Sequence, residues 1–190
     1  MEVGDIGVSN SGQEFTVLNK GYEHIGKRRW SMLTIKFSDT GTVMKCYQEN
    51  AIVGKVRDRY AKTCYGVGWA GDFDKSIPYW KQANQLWRNI MKRCYSTVDP
   101  KGYNGWVLVD PRWLCFANFL EDLPKLKNFE QWLNVGTCSH TRYQMDKDVL
   151  GDGTVYSPHT CMFLTEHENK SLGSKNKGAK APRLRANKPK

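Results

Sequence analysis

Asp146 and Asp148 stand two residues apart in Met145-Asp-Lys-Asp-Val-Leu150. The segment Tyr143 to Leu150 alternates as a strand does. Side chains two apart on a strand share a face, and paired carboxylates can hold a divalent cation such as Mg²⁺. The pair can also be a solvated strand end, or an ion-pair partner of Arg142 or Lys147. Further along, His159 and His167 are side chains able to move protons or ligate a metal, and equally able to be ordinary surface histidines. Cys138 and His140 are spaced as zinc ligands could be, but no second pair matches them.

A second chemistry is electrostatic. The net charge is +10 and the sequence pI about 9.3. From Gly173 the composition changes: Lys175, Lys177, Lys180, Arg183, Arg185, Lys188 and Lys190 face no acidic residue. Removing those seven charges leaves only +3 for residues 1–172. Like charges repel and extend a chain, so residues 173–190 read as a disordered basic tail. Phosphate contacts made by such a tail would release counterions. Lys27, Arg28 and Arg29 make a basic turn beside Trp30, a second place for phosphate or a solvated hairpin tip. A polyanion is the expected partner, with an anionic membrane surface as the competitor. No apolar run approaches the roughly 20 residues that span a bilayer, and Met1 to Asn10 lacks a signal-type apolar core. The expectation is a cytoplasmic protein without membrane insertion. Its six cysteines lack a C-x-x-C pair and read as reduced core residues.

The elements that must position these residues follow from pattern. With 190 residues, 39% hydrophobic and rich in Trp, Tyr and Phe, the chain can form one ordinary domain or two small ones. The first part, residues 1–72, reads as a small antiparallel β module. Phe15–Leu18 is a short apolar run. Trp30 to Phe37 puts Leu33, Ile35 and Phe37 on one face, Ser38 to Gly41 turns, Val43 to Tyr47 returns, and Val53 to Val56 is a last strand. Strands this short and close suggest a strongly bent, barrel-like sheet. Glycines at 66, 68 and 71 mark a boundary.

The second part, residues 76–172, begins helical. Trp80, Ala83, Trp87, Ile90, Met91 and Cys94 recur at helical spacing, and Lys92 and Arg93 complement the dipole at its end. Asp110 and Pro111 are a cap and first residue for a helix burying Trp113, Phe116, Ala117, Phe119, Leu120 and Leu123, stopped by Pro124. A short helix at Asn128–Leu133 follows. The strand to Leu150 then reaches the Gly151-Asp-Gly153 turn, Val155-Tyr156 opens a second strand, and Cys161 to Leu164 is a compact apolar segment. Thr165 with Glu168 makes a capping box for a helix over 166–172. The fold class is α+β.

The order of Leu86-Trp-Arg-Asn-Ile-Met-Lys-Arg-Cys-Tyr95, Trp113 with Phe116 and Phe119, Met145-Asp-Lys-Asp-Val-Leu150, Tyr156-Ser-Pro-His-Thr-Cys161 and Glu168-Asn169 resembles a group of bacteriophage HNH-type, homing-endonuclease-like proteins. The resemblance covers about residues 80–172 and, more weakly, the strand and turn at Phe37 to Gly41. It implies a two-stranded hairpin followed by a helix, the ββα site of His-metal nucleases. A histidine ending the first strand activates water there, and a divalent cation held by acidic, His or Asn residues neutralises the phosphate. By position the implied catalytic set is Asp146, Lys147, Asp148, His159 and His167, and the metal set Asp146, Asp148, His167 and Asn169. Thr160 or His159 falls where the motif has its Asn.

Lys147 stands where the general base belongs. An ordinary lysine is protonated at neutral pH and a poor base, but a good phosphate contact. The first expectation is therefore a phage DNA-binding protein with a degenerate nuclease fold, probing double-stranded DNA in the infected host's cytoplasm through Lys147, Arg28, Arg29 and the tail. The alternatives are an active metal-dependent endonuclease, and a host-takeover or anti-defence protein whose partner is a host or phage protein.

Overall fold

The computed structural model describes residues 1–98, 103, 106–134 and 142–175, with side chains as far as residue 172. The chain divides into two compact units, Met1–Asp72 and Phe73–Lys190. The architecture is mixed α+β, with a four-stranded antiparallel sheet followed by helices and two small sheets. No helix among the described residues is long and apolar enough to cross a membrane.

In the N-terminal unit, β1 (Ile6–Val8), β2 (Glu14–Ile25), β3 (Arg28–Phe37) and β4 (Val43–Tyr47) pair in that order. The alternation of β3 buries Leu33, Ile35 and Phe37, which meet Phe15 and Val17 of β2 and Cys46 of β4. The Phe15 and Phe37 rings pack edge-on, with centroids 6.0 Å apart. The sheet is open, with β1 and β4 at its edges.

Two elements of this unit differ from the sequence expectation. β2 extends well past Leu18, because its polar half, Asn19 to Ile25, pairs with the start of β3 after a bulge between Val17 and Asn19. Ladder hydrogen bonds and cross-strand contacts, not burial, hold that half; Arg29, for example, lies over the Tyr22 ring at 3.6 Å. The segment Val53 to Val56 is not a strand. The chain leaves β4 into α1 (Gln48–Ile52) and turns at Gly54, whose carbonyl accepts from the Asn10 N–H at 2.8 Å. Gly54 has φ +68°, a left-handed conformation that an L-residue adopts only with strain. Val56 is buried without joining a ladder.

In the C-terminal unit, α2 (Trp80–Tyr95) buries Ala83, Trp87, Ile90, Met91 and Cys94. The Asp110 side chain caps a 3-10 turn at Pro111–Leu114, accepting from Arg112 N–H at 2.8 Å. The helical direction breaks at Cys115, and α3 (Phe116–Asp122) follows. Phe116, Phe119, Leu120 and Leu123 are buried, whereas Ala117 is half-buried. One hydrogen-bond chain crosses this core. The Trp87 indole donates to the Trp113 carbonyl at 2.7 Å, and the Trp113 indole donates to Asp122 at 3.0 Å. Asp122 also accepts from Arg112 at 2.7 Å and Lys125 at 3.0 Å. Burial opposes ionisation of Asp122, but those three donors outweigh it and bring its pKa down to about 2.

The remaining elements are β5 (Leu108–Val109), α4 (Phe129–Asn134), β6 (Tyr143–Asp146), β7 (Val155–Tyr156), β8 (Met162–Thr165) and α5 (Glu166–Lys175). Their pairing departs from a simple hairpin through the Gly151–Gly153 turn. β6 pairs antiparallel with β8, whereas β7 pairs parallel with β5. The physical cause lies at Asp146. One of its carboxylate oxygens accepts from the N–H groups of Asp148 and Val149, at 2.9 and 3.0 Å. Those donors are thereby spent locally, which ends the strand at Asp146. The apolar run Met162 to Leu164, all buried, is the better partner for β6. Thr165 and Glu168 form the capping box of α5, the Thr165 N–H donating to the carboxylate at 2.9 Å and the Glu168 N–H to the hydroxyl at 3.2 Å.

Candidate functional site

The C-terminal unit carries a cleft of about 1000 Å³. One wall is the polar side of α2, with Gln82, Gln85, Asn89 and Arg93. The facing wall is β6 and the loop after it, Arg142 to Asp148, with Asn169 of α5. Trp132 of α4 and Tyr156 of β7 also line it, Trp132 being stacked on Phe163 at 4.9 Å.

Asp146, Lys147, Asp148 and Asn169 therefore come to one cleft. His159 and His167 are exposed and are not among its lining residues. His159 sits in the turn Ser157–Thr160, where its N–H donates to the Ser157 hydroxyl at 3.2 Å. That turn is held by Thr160, whose hydroxyl donates to the Val155 carbonyl at 2.7 Å. Arg28 and Arg29 lie at the β2–β3 hairpin end of the N-terminal unit, both exposed. Lys175 is the last residue of α5, and its side chain lies outside the described residues, as do Lys177, Lys180, Arg183, Arg185, Cys138 and His140.

Lys147 is the centre of the loop's structure. Its side chain is only 5% exposed, and its Nζ lies 2.8 Å from Asp148. The rings of Tyr103 and Tyr156 flank it, with centroids 5.0 and 5.5 Å from Nζ. A buried ammonium needs such company, because desolvating an unpaired charge is costly; the aromatic faces add cation–π attraction. Burial pushes the Tyr156 phenol well above its ordinary range, so it stays neutral beside the ammonium. The nearby thiols of Cys94 and Cys161 are pushed up to about 12 by burial. Among the described residues Cys46, Cys94, Cys115 and Cys161 are free thiols, and these four and Cys64 are buried.

The donor set does not fit the divalent cation that a nuclease reading implies. Asp146 is engaged by two backbone N–H groups and Asp148 by Lys147. Among the described residues no three His, Cys, Asp or Glu side chains form a group that could hold a metal. In the cleft the positive charge of Lys147 stands beside Asp148 where a cation would be needed. What remains available for an outside partner are the guanidinium groups of Arg93 and Arg142 and the amides of Gln82, Gln85, Asn89, Gln144 and Asn169.

Sequence reasoning from the motif alone misses the α2 wall. Its signal is present in the sequence: Trp80–Tyr95 contains Lys81, Arg88, Lys92 and Arg93 and no acidic residue, with carboxamides on the side away from the apolar stripe. Comparisons of the chain with family models, curated proteins and solved structures find no match.

Proposed function

We propose that the chain is a phage-type DNA-binding protein whose C-terminal unit keeps the strand–strand–helix order of a His-metal nuclease without its cleavage chemistry. The observation that carries this reading is the environment of Lys147. It directly follows Asp146, the last residue of β6, whose antiparallel partner β8 leads into α5. At that position a nuclease needs a base, and here an ammonium is buried against Asp148 and two tyrosine rings. The cleft beside it offers guanidinium and amide groups, which suit phosphates and bases rather than water activation. The basic C-terminal segment supplies further charge for the same polyanion.

Gel-shift titration with duplex DNA, beside incubation of supercoiled plasmid with Mg²⁺ or Mn²⁺, tests the proposal. The expected result is salt-sensitive duplex binding with the plasmid left intact. Metal-dependent nicking that disappears in Asp148→Asn would overturn the non-catalytic reading. Absence of duplex binding at low salt would overturn DNA as the partner.

A further inference from the structure

The cleft of the C-terminal unit is long as well as large. From Gln82 to Arg93 its α2 wall runs about 16 Å, and its volume of about 1000 Å³ stands at the top of the range for sites that enclose one drug-sized molecule. Two lining residues are cations on opposite walls, Arg93 of α2 and Arg142 just before β6. Both are exposed, and neither forms an ion pair among the described residues. The carboxylates of the lining are engaged elsewhere: Asp148 pairs with Lys147, and Asp146 accepts from two backbone N–H groups. The two guanidinium groups are therefore left for an anion from outside.

One ring of the lining also lacks a partner. Tyr143 is half-buried and stands in no ring pair and no side-chain hydrogen bond among the described residues. The other rings are engaged, Tyr103 and Tyr156 by Lys147 and Trp132 by Phe163. Carboxamides complete the walls: Gln85, Asn89, Gln144 and Asn169. A bare ring suits the flat face of a base. Carboxamides both donate and accept, which suits the mixed donors and acceptors of a base edge. Cations, a bare ring and carboxamides along one groove form a surface for a single-stranded backbone and its bases.

A paired duplex does not offer these groups to a concave site. Its base faces are covered by stacking, and its base edges are reached only by an element that enters a groove. We infer that the cleft takes a short run of unpaired nucleotides in DNA, with phosphates on Arg93 and Arg142, one base on the Tyr143 ring and base edges on the carboxamides. The inference rests on DNA being the partner, as proposed above. It adds that the protein is directed to gaps and other unpaired sites, while the basic segment after Gly173 contacts phosphates of the flanking duplex.

The test measures the full chain's affinity for an intact duplex and for the same duplex interrupted by a gap of about four unpaired thymidines. Wild type is expected to bind the gapped form about tenfold more tightly. Tyr143→Leu keeps bulk in the strand without a π face and should remove most of that preference, whereas Tyr143→Phe should retain it. Arg93→Ala/Arg142→Ala should also remove the preference and flatten the salt dependence on the gapped duplex by about 1.4 in log–log slope. Its binding to the intact duplex should stay within about twofold of wild type. Lys81→Ala/Arg88→Ala takes the same charge from exposed positions of α2 outside the cleft and should leave the preference in place. Thermal melts matching wild type would verify that the variants fold. Equal affinity for the two duplexes, or a preference that survives Tyr143→Leu and Arg93→Ala/Arg142→Ala, would overturn the inference while leaving DNA binding intact. A preference lost equally in Lys81→Ala/Arg88→Ala would overturn it as well, because charge alone would then explain it. Failure to bind either duplex would remove both the inference and the reading beneath it.

Discussion

Lys147 and Asp148, adjacent in sequence, form an ion pair 2.8 Å long in which the ammonium is buried and the carboxylate is one-third exposed. Neighbouring residues on a regular strand point to opposite faces, so this pairing depends on the chain leaving β6 at Asp146. The pair closes the loop from inside, with Tyr103 and Tyr156 on the ammonium.

Removing the ammonium leaves the partly buried Asp148 carboxylate without its internal partner. Lys147→Met should lower the stability of the C-terminal unit by about 2 kcal/mol, less than a fully buried pair would lose because Asp148 can rehydrate. Urea denaturation of Lys147→Met, Asp148→Asn and the double variant measures the coupling. A coupling energy below about 0.5 kcal/mol would show that the pair does not hold the loop.

Gly153 supports the same pair from across the loop. Its φ is +81°, and a Cβ there would overlap the Asp148 carboxylate. Gly153→Ala should cost about 1–3 kcal/mol through backbone strain and displacement of Asp148. The check is whether Gly153→Ala and Asp148→Asn are less than additive in thermal melts; full additivity would separate the glycine from the ion pair.

Asp122 gives the unit an acid-sensitive element. Its folded pKa is about 2, against about 3.9 in an unfolded chain. The unfolded state therefore binds the proton first as pH falls. The carboxylate's contribution, on the order of 2 kcal/mol, is complete above pH 4 and is lost as pH drops through 2. The stability difference between wild type and Asp122→Asn should shrink over that window. A difference that stays constant from pH 5 to pH 2 would contradict the assignment.

The buried thiols should be chemically silent. With Cys94 and Cys161 raised to about 12 by burial, almost no thiolate exists at neutral pH, and the thiolate is the reactive form. Alkylation mapped by mass spectrometry should label both residues in urea and neither in the native protein. Rapid native labelling of Cys161 would show that the loop around Lys147 opens readily.

Much of the local structure is legible in the sequence because its causes are local. The apolar stripe of α2, the alternation of β3, the Asp110–Pro111 start and the Thr165–Glu168 capping box each depend on residues within a turn or two of one another. The polar half of β2 is not legible this way, since only its partner strand makes it a strand. The same limit applies to the candidate site. Composition shows that Trp80–Tyr95 has four cations and no anion, but not that this face forms a cleft wall opposite Arg142 and Asn169.

The sequence by itself determined the α+β character, the cores of the main helices and the concentration of positive charge after Gly173. The tertiary structure alone decided that β6 pairs with β8 rather than with Val155-Tyr156, and that β7 pairs with β5. It also decided that Asp146, Lys147 and Asp148 are engaged by the protein itself while His159 and His167 are exposed and do not line their cleft. The reason is one of range. Capping and periodicity are settled by neighbours along the chain, whereas strand partners and the pairing of buried charges are settled by which distant segments exclude water together.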